Sequence, residues 1–461
     1  MKSGFTDAAD FGFSPEETGV ANTRALQAAV DRGGTIVVSV PGRYAVAGTV
    51  YVGSDTTLSF GNGVVLQKVE EEPGPFTHVL LNKGARERRW DRNIVIEGLH
   101  ISVNGVDVRK FEVYGLHGQL AFFYVRDLRI ERFRCYDMGP VQYAVHVCTF
   151  EDLIIDDVII HGDKDGVHLG RGRRFTIRNG IFKTFDDAVA LNAHDWTVGN
   201  PELGWIEDGV VENCQDLDAE GTTGYFCRIL GGGWLDWYPG MEVRRCDSVV
   251  HGGRLYRVDS QPDGTVFRSR TAPSHEEGLV EIDGIPWRMM QDEAVYTAGV
   301  RNVTFRDIVL KKARIAFSIH FCNNKWSRSY YPGAELPLQG PFRFEGIQVA
   351  HDEPMDFLAI RTPVDCLSVV GASLGEHPIR FFANSGAIDF GRTCLSLTNC
   401  IFRHAGPMEL MINEIADKPI EMKTTGSLIQ DSEFEGRCTG HGESVRIHSD
   451  LPGLSGEPGA D

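Results

Sequence analysis

From residue 93 onward the chain repeats one short pattern, and that pattern restricts the folds open to it more than any other feature. Units reading NIVIEGLHI (93–101), DLRIERFRC (127–135), DLIIDDVII (152–160) and RFTIRNGIF (174–182) each hold a strand, a polar bend of two or three residues, and a second short strand. Further units read GVVENC (209–214), MEVRRCDSV (241–249), NVTFRDIVL (302–310), FRFEGIQV (342–349), CLSVVGASL (366–374), CLSLTNCIF (394–402) and SLIQDSEF (427–434). The units that start at 127, 152 and 174 are spaced by 25 and 22 residues. A period of that size, built from strands without helices, predicts a β-solenoid. Its coils stack at about 4.8 Å, and inward side chains pile into apolar ladders. The expected fold is all-β: a single-stranded right-handed parallel β-helix.

One helix precedes the repeat. Asn22 is its candidate N-cap, Ala25, Leu26, Ala29 and Val30 form an apolar stripe, and Gly33–Gly34 end it. Laid over the first coil, such a helix shields the apolar end of a solenoid. The expected organisation is one domain over 1–450, with an N-terminal cap at about 5–70, coils at about 90–440 and a loop excursion at about 258–298. Residues 451–461 (LPGLSGEPGAD) read as a flexible tail.

With 52 glycines and 42% hydrophobic residues the chain is a folded protein rich in turns, not a disordered one. Its net charge of −18, with no basic block, argues against a nucleic-acid partner. An acidic glycan stays open, because a local basic patch can oppose the global sign. No apolar run approaches the roughly 18 residues of a spanning helix, and MKSGFTDAAD lacks the apolar core of a signal peptide. The expectation is a protein without a membrane partner, cytoplasmic unless a signal was trimmed, its oligomeric state open. The ten cysteines form no CxxC pair and read as small buried hydrophobes; neither a metal nor a cofactor is expected.

The chemistry concentrates in GDKDGVHLGRGRRFTIRNGIFKTFDDAVALNAHDW (162–196). Asp165 stands four residues before Leu169 in DGVHL, and Asp187 four before Leu191 in DAVAL. The shared frame places Asp165 and Asp187 in neighbouring strands. Asp186 joins them only if the chain is still turning there, since strict alternation sends it to the other side. Three close carboxylates repel one another, so one holds its proton more tightly and an acid and a base arise from one residue type.

These motifs resemble glycoside hydrolase family 28, the polygalacturonase and rhamnogalacturonase group of the pectin-lyase-like β-helix superfamily. That family carries Asn-Thr-Asp, an Asp-Asp pair one coil later, then Gly-His-Gly and Arg-Ile-Lys. Here KDG with Asp165 stands for the first motif and Asp186–Asp187 for the second; the opening DFGF…NTRALQAAVDRGGTIVVSVPGRY is also similar. The resemblance implies an inverting glycosidase acting on an oligosaccharide or polysaccharide, with uronate- or rhamnose-containing glycans as candidates. Asp187 would be the general acid, and Asp165 and Asp186 would activate water. Acid and base carboxyls about 6.5–9.5 Å apart leave room for that water.

The chain departs from the family one coil later. GYFCRIL offers Tyr225 near the place of the motif histidine, and Arg228–Ile229 is followed by Leu230 where the family has lysine. Arg228 is the candidate for holding a carboxylate. His168 and His194 flank the aspartates and are candidates for tuning a pKa or binding a hydroxyl; Asp195 reads equally as a loop cap, and His320 is a secondary candidate for the same groove several coils later. Trp234 and Trp237, in GGGWLDWYPG, read as an exposed groove wall for stacking on sugar rings. Two other classes share this expectation of a carbohydrate partner: a lyase or epimerase using carboxylate-bound Ca²⁺, and a non-catalytic glycan-binding β-helix.

Overall fold

The computed structural model describes residues 4–219, 221–383, 391–403, 408–415, 418–430, 436–440, 445–451 and 455–458. Almost all regular structure is strand, wound as a right-handed parallel β-helix. The chain forms two compact units, residues 1–190 with 209–224, and residues 191–208 with 225–461.

In the first unit the apolar positions of the repeat stack directly. Ile36 lies opposite Leu58, Leu58 opposite Ile96, and the column continues through Ile130, Ile155 and Ile177. Each is at most 1% exposed. The polar bends between paired strands hold one residue per coil in the left-handed region: Gly98, Arg132, Asp157 and Asn179, at φ of 73°, 54°, 54° and 56°. Gly, Asn and Asp enter that region at least cost, which explains the polar pair in each unit. The outward positions carry charge, as where Arg178 pairs with Asp156 one coil below at 2.7 Å.

The helix runs Gly19–Val30 and buries Ala25, Leu26, Ala29 and Val30, the expected stripe. Its N-cap is Thr18, whose hydroxyl accepts from the Ala21 amide, and not Asn22. Asn22 lies inside the helix and is fully buried, where its amide bonds both the N–H and the C=O of Ser14 and so ties down the incoming chain. The Glu71 carboxylate accepts from the Gly19 and Val20 amides at 2.9 Å each, at the positive end of the helix dipole.

The second unit carries its own ladder: Val303, Phe342, Leu367, Leu395, Met422 and Ile447 in successive register. Phe305, Phe317, Phe344 and Phe357 fill its interior, with Phe305 and Phe344 stacked at 5.3 Å between centroids. An excursion interrupts the coils. Strands Leu235–Asp236, Ser248–His251, Arg254–Val258, Leu279–Ile282 and Ile285–Gln291 form a separate five-stranded sheet. The unit at 241–249 belongs to this region rather than to a coil, since Met241–Arg244 pairs antiparallel with Val266–Ser269. Ser455–Pro458, within the stretch read as tail, forms a strand beside Gly436–Gly440; 452–454 and 459–461 lie outside the described residues, as do 431–435 of the last repeat unit. Among the described residues no helix is long and apolar enough to cross a membrane. Eight of the ten cysteines are buried.

Candidate active site

Two consecutive coils of the first unit bring the aspartates together. Strand Val145–Gly162 ends in bends at 163, 164 and 166 before strand Val167–Leu169 begins; strand Gly172–Thr184 ends in the same bends at 185, 186 and 188. Ala144 and Val145 donate to the carbonyls of Asp165 and Gly166 (3.1 and 3.0 Å), with Val145 opposite Val167. Gly166 and Val167 donate in the same way to Asp187 and Ala188 (2.9 and 3.0 Å). The repeated pattern sets Asp187 opposite Asp165 and Asp186 opposite Lys164. Because the chain bends at 185 and 186, strict alternation is suspended and Asp186 turns to the same side. One carboxylate oxygen from each of Asp165, Asp186 and Asp187 lies within 4.8 Å of the other two.

Each neighbour of the cluster has an assignable job. Lys164 Nζ donates to Asp186 Oδ2 at 2.5 Å, a charge-assisted contact. His168 Nδ1 donates to Asp165 Oδ2 at 2.7 Å, which sets the ring's orientation. Tyr143 stacks on His168 with centroids 4.2 Å apart and planes at 6°, and His146 meets His168 edge-on at 4.6 Å. The His117 backbone N–H donates to His146 Nδ1 at 3.0 Å, so that nitrogen carries a lone pair. Asp165, Asp187 and His168 are fully buried, whereas Lys164 and Asp186 keep 33% and 21% of their side-chain surface exposed. The cluster therefore opens on the Lys164–Asp186 side.

This arrangement supplies proton donors and acceptors within one hydrogen-bonded group. The closest oxygens are nearer than the roughly 6.5–9.5 Å that lets water stand between an acid and a base. Oxygens this close also match a cation with bonds of about 2.3–2.6 Å. However, Lys164 already provides a positive charge on Asp186, and His168 already engages Asp165. Asp165, Asp186 and Asp187 are the residues that would hold a divalent ion.

Sequence reasoning missed Lys164, Tyr143 and His146 as members of this group. The signal for His146 was present: AVHV and GVHL align so that Val145, His146 and Val147 lie opposite Val167, His168 and Leu169.

The other residues singled out in the sequence belong to the second unit. Arg228, half-buried on strand Cys227–Leu230, lies opposite Ser318, and Leu230 opposite His320. The Tyr225 ring stands 6.0 Å from that of His320. Desolvation pushes the His320 imidazole down to a pKa of about 3, helped by Arg228 and Arg361. His194 is buried: its Nε2 accepts from the Arg257 guanidinium at 3.1 Å, and burial followed by that charge holds it well below the ordinary range. It is a neutral structural partner of a buried arginine, not an exposed sugar contact. Asp195 Oδ2 accepts from Asn192 at 2.9 Å, which makes it a loop brace.

The expectation of an exposed aromatic wall fails at Trp234. Its indole is 2% exposed and donates to the Val295 carbonyl, and the glycines before it pack against the Ser329 and Glu335 carbonyls, so the segment is interior. Trp237 is half-buried and donates to Ser269 Oγ at 2.8 Å; Tyr238, 48% exposed, is the ring that faces solvent.

No protein-family model and no curated protein matches the sequence. Solved structures do match in fold. A mannuronan C-5 epimerase A-module from Azotobacter vinelandii is 12% identical at a TM-score of 0.51, with 98% of this chain and 100% of that one covered. The catalytic unit of an alpha-1,3-glucanase from Streptomyces thermodiastaticus is 11% identical at 0.50, covering 99% and 69%. A family 28 exopolygalacturonase from Yersinia enterocolitica is 14% identical at 0.49, covering 98% and 79%. At these identities the likeness establishes the β-helix fold and nothing about the reaction.

Proposed function

We propose that the protein is a glycoside hydrolase whose chemistry is carried by Asp165, Asp186 and Asp187. One observation supports this above the rest: coil register holds three carboxylates within 4.8 Å of one another, with a lysine and a histidine bonded to two of them. In this reading Asp187 protonates the leaving oxygen of the glycosidic bond. Asp186, on the open side, takes the proton of the attacking water, and Asp165 shares that water's second hydrogen bond. Lys164 steadies Asp186 as an anion while the sugar ring gains positive character, and His168 keeps Asp165 aimed. Inversion is the expected stereochemistry of direct attack by water; the short spacing of the carboxylates runs against it. NMR of the first anomer released decides between the two, after reducing-sugar release over a panel of plant and microbial oligosaccharides has found a substrate. If no panel member is cleaved and the sugars bind unchanged, the hydrolase reading fails.

A second reading has its own support. The stacked Tyr143–His168 pair, joined to the carboxylate cluster through Asp165, supplies a phenol and an imidazole, groups suited to removing the proton next to a uronate carboxylate. A lyase or epimerase would then form an unsaturated, ultraviolet-absorbing product or exchange solvent deuterium into the sugar without releasing reducing ends.

A further inference from the structure

A pocket of about 240 Å³ in the second unit is lined by Arg244, Pro262, Gly264, Asn323, Asn324 and Arg328. It combines two guanidinium groups with two carboxamides in a chain whose net charge is −18. One buried carboxylate organises both arginines. Asp247, 2% exposed, accepts from Arg328 Nε through Oδ1 at 2.8 Å and from the Arg244 backbone N–H through Oδ2 at 2.7 Å. Arg328 thus spends only its Nε, and both terminal nitrogens of its fork remain for a ligand. Asp263, which sits between two lining residues, is already held by Arg245 Nε at 2.8 Å and the Thr265 amide at 2.9 Å. Counting Arg244, Arg328 and Asp247, the pocket carries one uncompensated positive charge.

The hairpin that carries Arg328 is equally fixed. Asn323 and Arg328 form an antiparallel bridge that closes a hairpin. Within it, Asn324 Oδ1 accepts from the Trp326 and Ser327 amides at 2.8 and 3.1 Å, which leaves its NH₂ as the outward, donating end. Trp326 at the tip is 50% exposed, with Lys325 Nζ 5.0 Å from its ring centroid. A flat aromatic face and a cationic, amide-lined pocket therefore share one hairpin. The pocket is smaller than the roughly 300–1,000 Å³ of sites for drug-sized ligands, so it suits a single ring.

We propose that this pocket binds one sugar residue bearing a single oxyanion, a carboxylate or a sulfate ester. The Arg244 and Arg328 guanidinium groups hold the anion, Asn324 donates to a ring hydroxyl, and Trp326 covers the adjoining sugar face. The proposal does not depend on the hydrolase reading, and monosaccharide probes, which contain no glycosidic bond, keep the two separate.

The test is calorimetric titration of the full chain with galacturonate, galactose 6-sulfate, galactose and inorganic sulfate, repeated on Arg244→Gln. Arg244 is exposed and makes no side-chain hydrogen bond among the described residues, so its replacement leaves the fold intact, as thermal melting would verify. At least one acidic sugar should bind at least tenfold more tightly than galactose and than sulfate alone. Arg244→Gln should weaken it by about tenfold or more, the loss of a charge-assisted hydrogen bond. Whichever acidic sugar binds more tightly identifies the anion. Arg328→Lys, which preserves the charge beside Asp247 but not the fork, should weaken binding similarly. Equal affinity for galactose, binding by sulfate alone as tight as by the sugars, no binding of either acidic sugar, or affinity unchanged in Arg244→Gln would each overturn the proposal.

Discussion

Lys164 brings an ammonium group onto the aspartate cluster through its contact with Asp186. Its exposure, together with that of Asp186, also marks where a sugar oxygen can approach. Asp187→Asn retains the size of the side chain and removes the proton donor. Turnover should fall by about 10²–10⁴ while affinity for an uncleaved glycan and the circular dichroism spectrum stay unchanged. Full activity in that variant would dismiss Asp187 as the acid. Lys164→Met should lower kcat with a smaller effect on KM, because the charge acts on the reacting carboxylates; a pure rise in KM would make Lys164 a sugar contact instead. At this scale the sequence was half legible. The opposition of Asp165 and Asp187 follows from their shared frame, whereas Asp186 depends on a bend that alternation cannot foresee. Trp234 misled because glycine-rich polar context describes its neighbours, not the direction of its own ring.

The strand ladders show why the solenoid was readable. Each repeat unit exposes its inward positions as alternating apolar residues and its corner as a polar pair, so both packing and backbone geometry are written locally. The unit at 241–249 shows the limit. A strand's burial pattern is the same whether its partner runs parallel or antiparallel, and only the pairing with Val266–Ser269 assigns it to the excursion. Ile155 sits between Ile130 and Ile177 and is fully buried. Ile155→Ala should cost about 2–5 kcal/mol in urea denaturation, and Ile155→Val about 0.5–1.5 kcal/mol. Equal, small losses in both would mean that the coils adjust around the missing volume.

Stability of the whole molecule should depend on acid through its buried histidines. His78, whose Nδ1 contacts the Gly118 carbonyl at 2.7 Å, is pushed down by burial to a pKa of about 4; His320 falls to about 3, and His194 also lies well below its ordinary value. An unfolded histidine titrates near 6.5, so below that pH the unfolded chain binds the extra protons. The stabilisation is complete above about pH 6.5 and declines as pH falls toward 4, by on the order of 2–3 kcal/mol per fully neutral histidine. Urea midpoints measured between about pH 7 and pH 4.5 should fall, and less steeply in His78→Gln; a flat profile would mean that these rings are protonated in the fold. The repeat made the architecture visible in the sequence, and the aspartates made the reaction class a reasonable inference. The pocket around Arg244 and Arg328 stayed hidden, because its members come from three separate segments, at 244, 262–264 and 323–328, that no repeat period in the sequence relates to one another.

The coil between Asp165 and Asp187 works as a ruler. Adding or deleting one residue within Gly172–Thr184 would shift the second carboxylate out of step with the first and reverse every later side chain in that strand. Insertions in the excursion carry no such penalty. The residue count between the two aspartates is thus a fixed length of chain, set by the register that gathers the three carboxylates, and the loops of the excursion lie outside that count.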